Sequence, residues 1–303
     1  MMYNVNKINE EIKANPEEFV RVAEEKYENQ IASCVNDMMS RGNKFKFILL
    51  AGPSSAGKTT TSHLLKENLA KKGYYAKVVS IDNFFLERSE TPKLPNGKND
   101  YESLRSLDWN LFGTKMNELI ENKKSILPVF DFVVGKKYYP EFYTTLNDNE
   151  IIIIEGLHAL NSIIDNYIPT NLAYKIYINS ESEFCDDNGV ILSKETIKLV
   201  RRILRDSKKR GISPDQTFDS WPDVIYGEAT YINPNIKNAY YKIDTTHSFE
   251  PSVYYSHLKD AQIDCKTDKI NDLLKILSLF EPIETEMIPM SSLTQEFLGG
   301  NDN

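Results

Sequence analysis

Apolar residues first fall into a helical period at Phe19, Ala23, Tyr27, Ile31, Val35 and Met38, each three or four positions after the last. The spacing predicts a helix over 15–42. Asn15 caps it, Pro16 takes the first turn, Glu17 and Glu18 suit the positive helix end, and Gly42 stops it. Acidic residues flank the apolar face, which marks it as packing surface for the following domain rather than a membrane-lying helix.

From residue 45 the pattern changes to short apolar runs alternating with helical ones, the arrangement of a parallel sheet with helices on both faces. The predicted strands are 45–51, 76–82, 151–155, 174–179 and 240–244. Ile151 to Ile154 show no polar alternation, as expected of a central strand buried on both sides. A helix is predicted from Thr59 to Lys72, with Leu64, Leu65 and Leu69 at helical spacing and Gly73 at its end. The Pro/Gly/Asn/Lys-rich stretch 86–102, including Thr91-Pro92-Lys93-Leu94-Pro95-Asn96-Gly97, reads as a surface loop near the site. The end, 288–303, is polar apart from Phe297-Leu298. No repeat or low-complexity tract occurs.

Between the first predicted strand and helix lies Gly52-Pro53-Ser54-Ser55-Ala56-Gly57-Lys58-Thr59, the phosphate-loop pattern. Its glycines let backbone N–H groups wrap a phosphate, and the next helix aims its positive end at the same anion. Lys58 would reach the β- and γ-phosphates and the Thr59 hydroxyl would sit on Mg²⁺. The chain is therefore expected to be an α/β P-loop NTPase with a five-stranded parallel sheet.

The 303 residues are 41% hydrophobic and 26% charged, ordinary for a globular protein, with a formal net charge of −8. That acidity argues against a nucleic-acid partner. Cys34, Cys185 and Cys265 are odd in number and far apart, and the four histidines have no metal-ligand spacing. No signal peptide or membrane-length apolar run is visible, so no membrane association is expected and the expected compartment is the cytoplasm. A homo-oligomer is left open.

Ligands in parallel sheets bind at the carboxyl ends of strands, and two predicted strands end there on carboxylates, Asp82 and Glu155. Together at a phosphate loop they suit a general base for an attacking hydroxyl and a Mg²⁺ partner, direct or through water. Singly, each could be a plain strand terminator. In Arg201-Arg202-Ile203-Leu204-Arg205-Asp206-Ser207-Lys208-Lys209-Arg210-Gly211, Arg201 and Arg205 are read as one helix face that closes on the transferring phosphoryl. A solvated face or an RNA patch are the alternatives. His158 is a candidate substrate contact or a structural hydrogen-bonder; Phe130, Tyr138, Tyr139 and Tyr143 could line a base pocket or simply pack. No Asn-Lys-x-Asp guanine-reading motif occurs, which disfavours a GTPase.

Several strings together resemble the uridine kinase/phosphoribulokinase family of P-loop kinases. They are Ala51 to Thr60, Ser80-Ile81-Asp82-Asn83-Phe84-Phe85, Tyr101-Glu102-Ser103-Leu104, Leu127-Pro128-Val129-Phe130-Asp131-Phe132 and Ile154-Glu155-Gly156-Leu157-His158. The arginine run to Gly211, the Thr217…Trp221…Gly227-Glu228 segment and the closing Glu296-Phe297-Leu298-Gly299-Gly300 complete the set. The resemblance is strongest to the kinase half of long bacterial uridine-kinase-like proteins, whose preceding threonyl-tRNA-synthetase-like segment is not among these residues. It implies a donor-nucleotide site of Gly52, Pro53, Ser54, Ser55, Ala56, Gly57, Lys58, Thr59 and Thr60. It also implies Asp82 as base near the substrate 5′-hydroxyl, and Thr59, Asp82 and Glu155 on the magnesium side. Glu102 falls on the ribose hydroxyls, Phe130 in the nucleoside pocket, and Arg201, Arg202, Arg205 and Arg210 on a phosphate-gripping lid. Two positions depart. The histidine that reads a pyrimidine is Gly135 here, and the arginine one turn before the lid arginines is Lys198. Both touch acceptor recognition and leave the phosphate machinery intact.

The expected organisation is an N-terminal helical segment (1–44) and a kinase domain (45–303) with a basic helical lid near 196–215 and a C-terminal helical tail near 252–303. The expected activity is transfer of a γ-phosphoryl from ATP or GTP, with Mg²⁺, to a small-molecule hydroxyl, most naturally a nucleoside 5′-hydroxyl. The alternatives are a kinase for a sugar phosphate or pantothenate-like compound, or a catalytically weak nucleotide-binding regulator.

Overall fold

Asn15 caps the first long helix as its sequence predicts: its Oδ1 accepts the Glu18 N–H at 3.2 Å, and with Pro16 at the first turn α2 runs Pro16–Ser40. The computed structural model describes residues 1–42, 44–94 and 97–300; Pro95 and Asn96 of the predicted surface loop and residues 301–303 of the predicted tail lie outside them. Ahead of α2, a helix that the sequence reading left unassigned, α1, spans Val5–Ala14. Asn4 caps it, and Val5, Ile8 and Ile12 are buried. Met2–Asn4 pairs in parallel with Glu183–Asp186 in a small separate sheet.

The five predicted strands all form: β1 Phe47–Ala51, β2 Tyr75–Ser80, β3 Glu150–Gly156, β4 Ala173–Asn179 and β5 Tyr241–Asp244. They lie in the order β5-β4-β1-β3-β2, every pairing parallel. In β3, Ile151 and Ile153 face one apolar cluster and Ile152 and Ile154 the other, so the strand has no polar side. Each buried isoleucine contributes about 1.5–3 kcal/mol. The first cluster also takes in Val5, Tyr27, Ile31 and Met38, so the apolar face of α1 and α2 packs into the same core as the sheet. Tyr27 Oη and Thr61 Oγ1 share a buried hydrogen bond of 2.7 Å, which ties α2 to the helix after the phosphate loop, α3 (Lys58–Ala70).

One strand is shorter than expected. β2 stops at Ser80, whose hydroxyl accepts the Asp82 N–H at 3.4 Å and starts a tight helical turn over Ile81–Phe84. Asp82 therefore sits on the turn past the strand, because a local Ser cap outcompetes the ladder. After α4 (Trp109–Asn122), the lid begins with α5 (Lys194–Arg205), continues through a wide turn over Asp206–Arg210 and leads into α6 (Pro214–Gly227). The tail is helical in α7 (Glu250–Ala261) and α8 (Lys269–Leu277). Beyond them it is irregular with two short turns, Thr285–Met287 and Gln295–Leu298, and Phe297 and Leu298 are buried.

Candidate active site

The loop between β1 and α3 has Ser55 at φ 60° and Gly57 at φ 84°. Gly57 caps α3 without a side chain, so the N–H groups of Lys58 and Thr59 are left for an anion, while that of Thr60 is taken by Glu296. Lys58 Nζ folds back over the loop and donates to Gly52 O and Pro53 O at 3.0 and 3.1 Å.

Beside it, β3 lies between β1 and β2 and pairs Glu155 with Leu50 on one side and Ser80 on the other. Gly156 makes room for the neighbouring turn: at φ 155°, a Cβ there would lie 2.1 Å from Ile81 Cγ2. That close approach brings Asp82 alongside Glu155. Burial pushes the Asp82 carboxyl up, Glu155 repels its charged form, and Lys58 offsets part of this; it stands at about 7. Two carboxylates and the Thr59 hydroxyl offer only oxygen, a donor set suited to Mg²⁺, which is held by one or two carboxylates together with phosphates and water. The mutual repulsion at Asp82 is what a cation there would relieve. Among the described residues no group of three or more His, Cys, Asp or Glu converges as a closed metal cage.

The lid arginines divide by helix face. Arg202 Nη1 and Arg205 Nη2 both donate to Ser54 Oγ, at 2.7 and 3.1 Å, from one face over the loop. Asp206, 1% exposed, holds them in place. It accepts from Arg202 at 3.1 Å and Arg210 at 3.1 Å, and lies 3.7 Å from Arg205. Three cations share one carboxylate, which leaves net positive charge above the phosphate loop. Burial and the neighbouring Arg210 push the Arg205 guanidinium down to about 10.

Arg201 corrects the expectation that it shares that face. It points into the core, fully buried, and all five of its N–H donors are engaged, by Glu250, Thr245 and the Ser55 carbonyl. It braces the loop from behind and has no donor left for a phosphoryl group. Lys198 is corrected for a similar reason. It is 1% exposed and donates to both Glu228 oxygens at 2.7 Å, so its charge is spent inside the fold.

Glu102 packs against the end of α6, where a Cβ on Gly227 would lie 2.9 Å from its own. Burial raises its carboxyl, with Arg202 and Lys58 opposing. His158 is 2% exposed, and burial pushes it down to about 4, opposed by the nearby Glu102 backbone. It is therefore a neutral imidazole, edge-on to Tyr231 at 5.7 Å. Tyr231, absent from the sequence reading, lines a cavity of about 270 Å³ with Asp100, Glu102, Arg202 and Asp223. Phe130 is 4% exposed and packs edge-on to Phe85 and Phe132, at 5.9 and 5.0 Å, so it belongs to the core more than to an open pocket. Tyr138, Tyr139 and Tyr143 are at least half exposed. Gly135, at φ 76°, lies under the Arg88 side chain; a Cβ there would meet Arg88 Cβ at 2.7 Å. Asp206, Glu250 and Tyr231 gave no spacing signal because their partners are contributed from other elements or from within an irregular turn.

Among the described residues no helix is long and apolar enough to cross a membrane. The chain is 25% identical over 195 residues to a uridine kinase of Ureaplasma parvum serovar 3, covering 63% of the chain and 84% of that enzyme. It is 30% identical over 170 residues to a uridine kinase of Schizosaccharomyces pombe, covering 55% of the chain and 33% of that enzyme. A solved structure of a possible uridine kinase from Bacillus stearothermophilus aligns over 67% of the chain and 89% of its own, with 17% identity and a TM-score of 0.44. The model of the phosphoribulokinase/uridine kinase family matches residues 47–249, from β1 through the lid to the end of the sheet, and this chain belongs to that family of P-loop kinases.

Proposed function

We propose that the protein transfers the γ-phosphoryl group of a nucleoside triphosphate to a primary hydroxyl of a small molecule, a nucleoside 5′-hydroxyl being the acceptor its cavity suits best. The observation that carries this is the juxtaposition of Asp82 and Glu155 at the sheet end beside Lys58. A carboxylate at the sheet end beside the transferring phosphoryl can take the hydroxyl proton as the acceptor attacks. The acceptor oxygen forms the new O–P bond, the bond to the leaving diphosphate breaks, and the acceptor proton passes to Asp82. Lys58, Arg202 and Arg205 would hold the phosphate oxygens in line. Bound through Thr59, Asp82 and Glu155, Mg²⁺ would supply charge neutralisation on the β- and γ-oxygens. Glu102 and Asp100 suit a vicinal diol.

A second reading, a kinase for a non-nucleoside hydroxyl compound, is favoured by one feature. Gly135 carries no side chain to read a base, and Arg88 fills the space where one would project. Side-by-side kcat/KM for uridine, cytidine, adenosine, ribose and a pantothenate-like alcohol tests both readings. With the hydrogen-bonding partner missing, discrimination among bases should be loose. Turnover of the non-nucleosides alone would favour the second reading. Absence of turnover with every acceptor, alongside tight ATP binding, would leave a regulator.

A further inference from the structure

The tail beyond residue 249 lies outside the family-matched stretch, yet it reaches the phosphate loop. Glu296 accepts the Thr60 N–H and hydroxyl at 3.3 and 2.9 Å, so it closes the first turn of α3 from 236 residues away. The Leu293 side chain lies on Gly57, where a Cβ would meet its Cδ1 at 2.3 Å. Phe297 carries the Arg201 guanidinium over its ring at 5.0 Å, and Lys208 of the lid donates to Leu298 O at 3.0 Å. Between this strap, α3 and the lid is a cavity of about 450 Å³, bordered by Thr60, His63, Glu67, Arg205, Ser291 and Gln295. That volume lies in the range of small-molecule sites.

The direction of a bound triphosphate follows from the loop. Lys58 acts on its β- and γ-phosphates and the carboxylates Asp82 and Glu155 mark the γ end, so the α end runs along the first turn of α3, where it competes with Glu296 for Thr60. The remainder of the donor then falls in the cavity under the tail. A second cavity of about 620 Å³, at the ends of β4 and β5, sets Glu181, Glu195, Glu228 and Asp244 against Lys194 and Lys242 and suits a polyanion less well than the first, where Arg205, Lys209 and Arg210 outnumber Glu67 and Glu296. Resting on the kinase reading above, we propose that the C-terminal strap forms the outer wall of the subsite for the donor's nucleoside, so that nucleotide affinity and base preference are set by a segment the family-matched stretch does not contain.

Inorganic tripolyphosphate needs the loop but no nucleoside subsite, whereas ADP needs both. Calorimetric titration of each, with Mg²⁺, into the full chain and into Ser291→Trp separates the two parts. The large side chain should weaken ADP at least about tenfold and leave tripolyphosphate within about threefold. His63→Trp, on the opposite wall, should do the same, and carries the test if Ser291→Trp lowers Tm. Unchanged ADP affinity in a folded variant overturns the assignment, as does equal weakening of both ligands, which would place the damage in the loop. A wild-type chain that binds neither ligand overturns the kinase reading itself and this inference with it.

Discussion

Arg201 and Glu250 form a bidentate ion pair with both side chains wholly out of water, 49 residues apart in sequence, and the same guanidinium donates to the Ser55 carbonyl of the phosphate loop. The pair fixes the loop to the end of the sheet. Arg201→Ala strands Glu250 without a partner, and breaking a buried pair on one side costs about 3–5 kcal/mol. Urea denaturation should show this loss, and Glu250→Gln alone should lose stability in the same sense. A fully stable, active Arg201→Ala variant would remove the brace from the account.

The same cluster predicts a pH dependence. Burial disfavours the charged form of His247, but Glu24 from α2 and Glu250 from α7 outweigh it and raise the imidazole to about 9. Its ordinary value is near 6.5, so the folded protein holds a proton that the unfolded chain releases. Its contribution is fully present below about pH 6.5 and is lost as pH rises through about 9, on the order of 3 kcal/mol. Denaturation of wild type and His247→Gln at pH 6, 7.5 and 9 isolates it. The gap between them should narrow toward pH 9, and a constant gap would count against a charged His247.

Asp82→Asn keeps shape and hydrogen bonding but cannot take a proton. Turnover should fall by about 10²–10⁴ while ADP still binds. Normal turnover would reduce Asp82 to a buried residue of the turn after β2. Glu155→Gln should instead shift the Mg²⁺ concentration for half-maximal rate upward, and an unmoved titration would take Glu155 off the metal.

Lys58→Ala removes the cation that bonds Gly52 O and Pro53 O and that would neutralise the β- and γ-phosphates. Turnover should be abolished with Tm unchanged within a few degrees. Activity within a few-fold of wild type would exclude the loop from the chemistry.

The sheet was legible because its strands are short apolar runs ended by Gly, Ser or acidic residues, and Ile151–Ile154 could face only two hydrophobic layers. The phosphate loop was legible because its spacing is tied to backbone geometry. The division of the lid was not. Arg201 and Arg202 are adjacent, and only the distant Glu250 and the loop's Ser54 decide which points inward. Lys198 stood where a cation was expected, but Glu228, which consumes it, comes from the end of α6. Helix α1 was missed because ten residues with three apolar contacts give a weak period. Phe297 and Leu298 stood out as apolar, while the surface that covers them was invisible until Arg201 and the loop were in place.

Strand β3 carries a hazard for the chain while it is being made. Four consecutive β-branched, uncharged residues are the kind of segment that pairs with copies of itself when exposed. Glu150 and Glu155 bracket the run with charge, and Glu150 is further held by Lys77 at 2.7 Å. The order of synthesis helps as well. Both strands that flank it, β1 and β2, leave the ribosome first, so the isoleucines emerge with the neighbours on both sides already made. The stretch that presents Glu155 to the site is thus also the one most exposed to aggregation, and its place in the chain lets it be buried as soon as it appears.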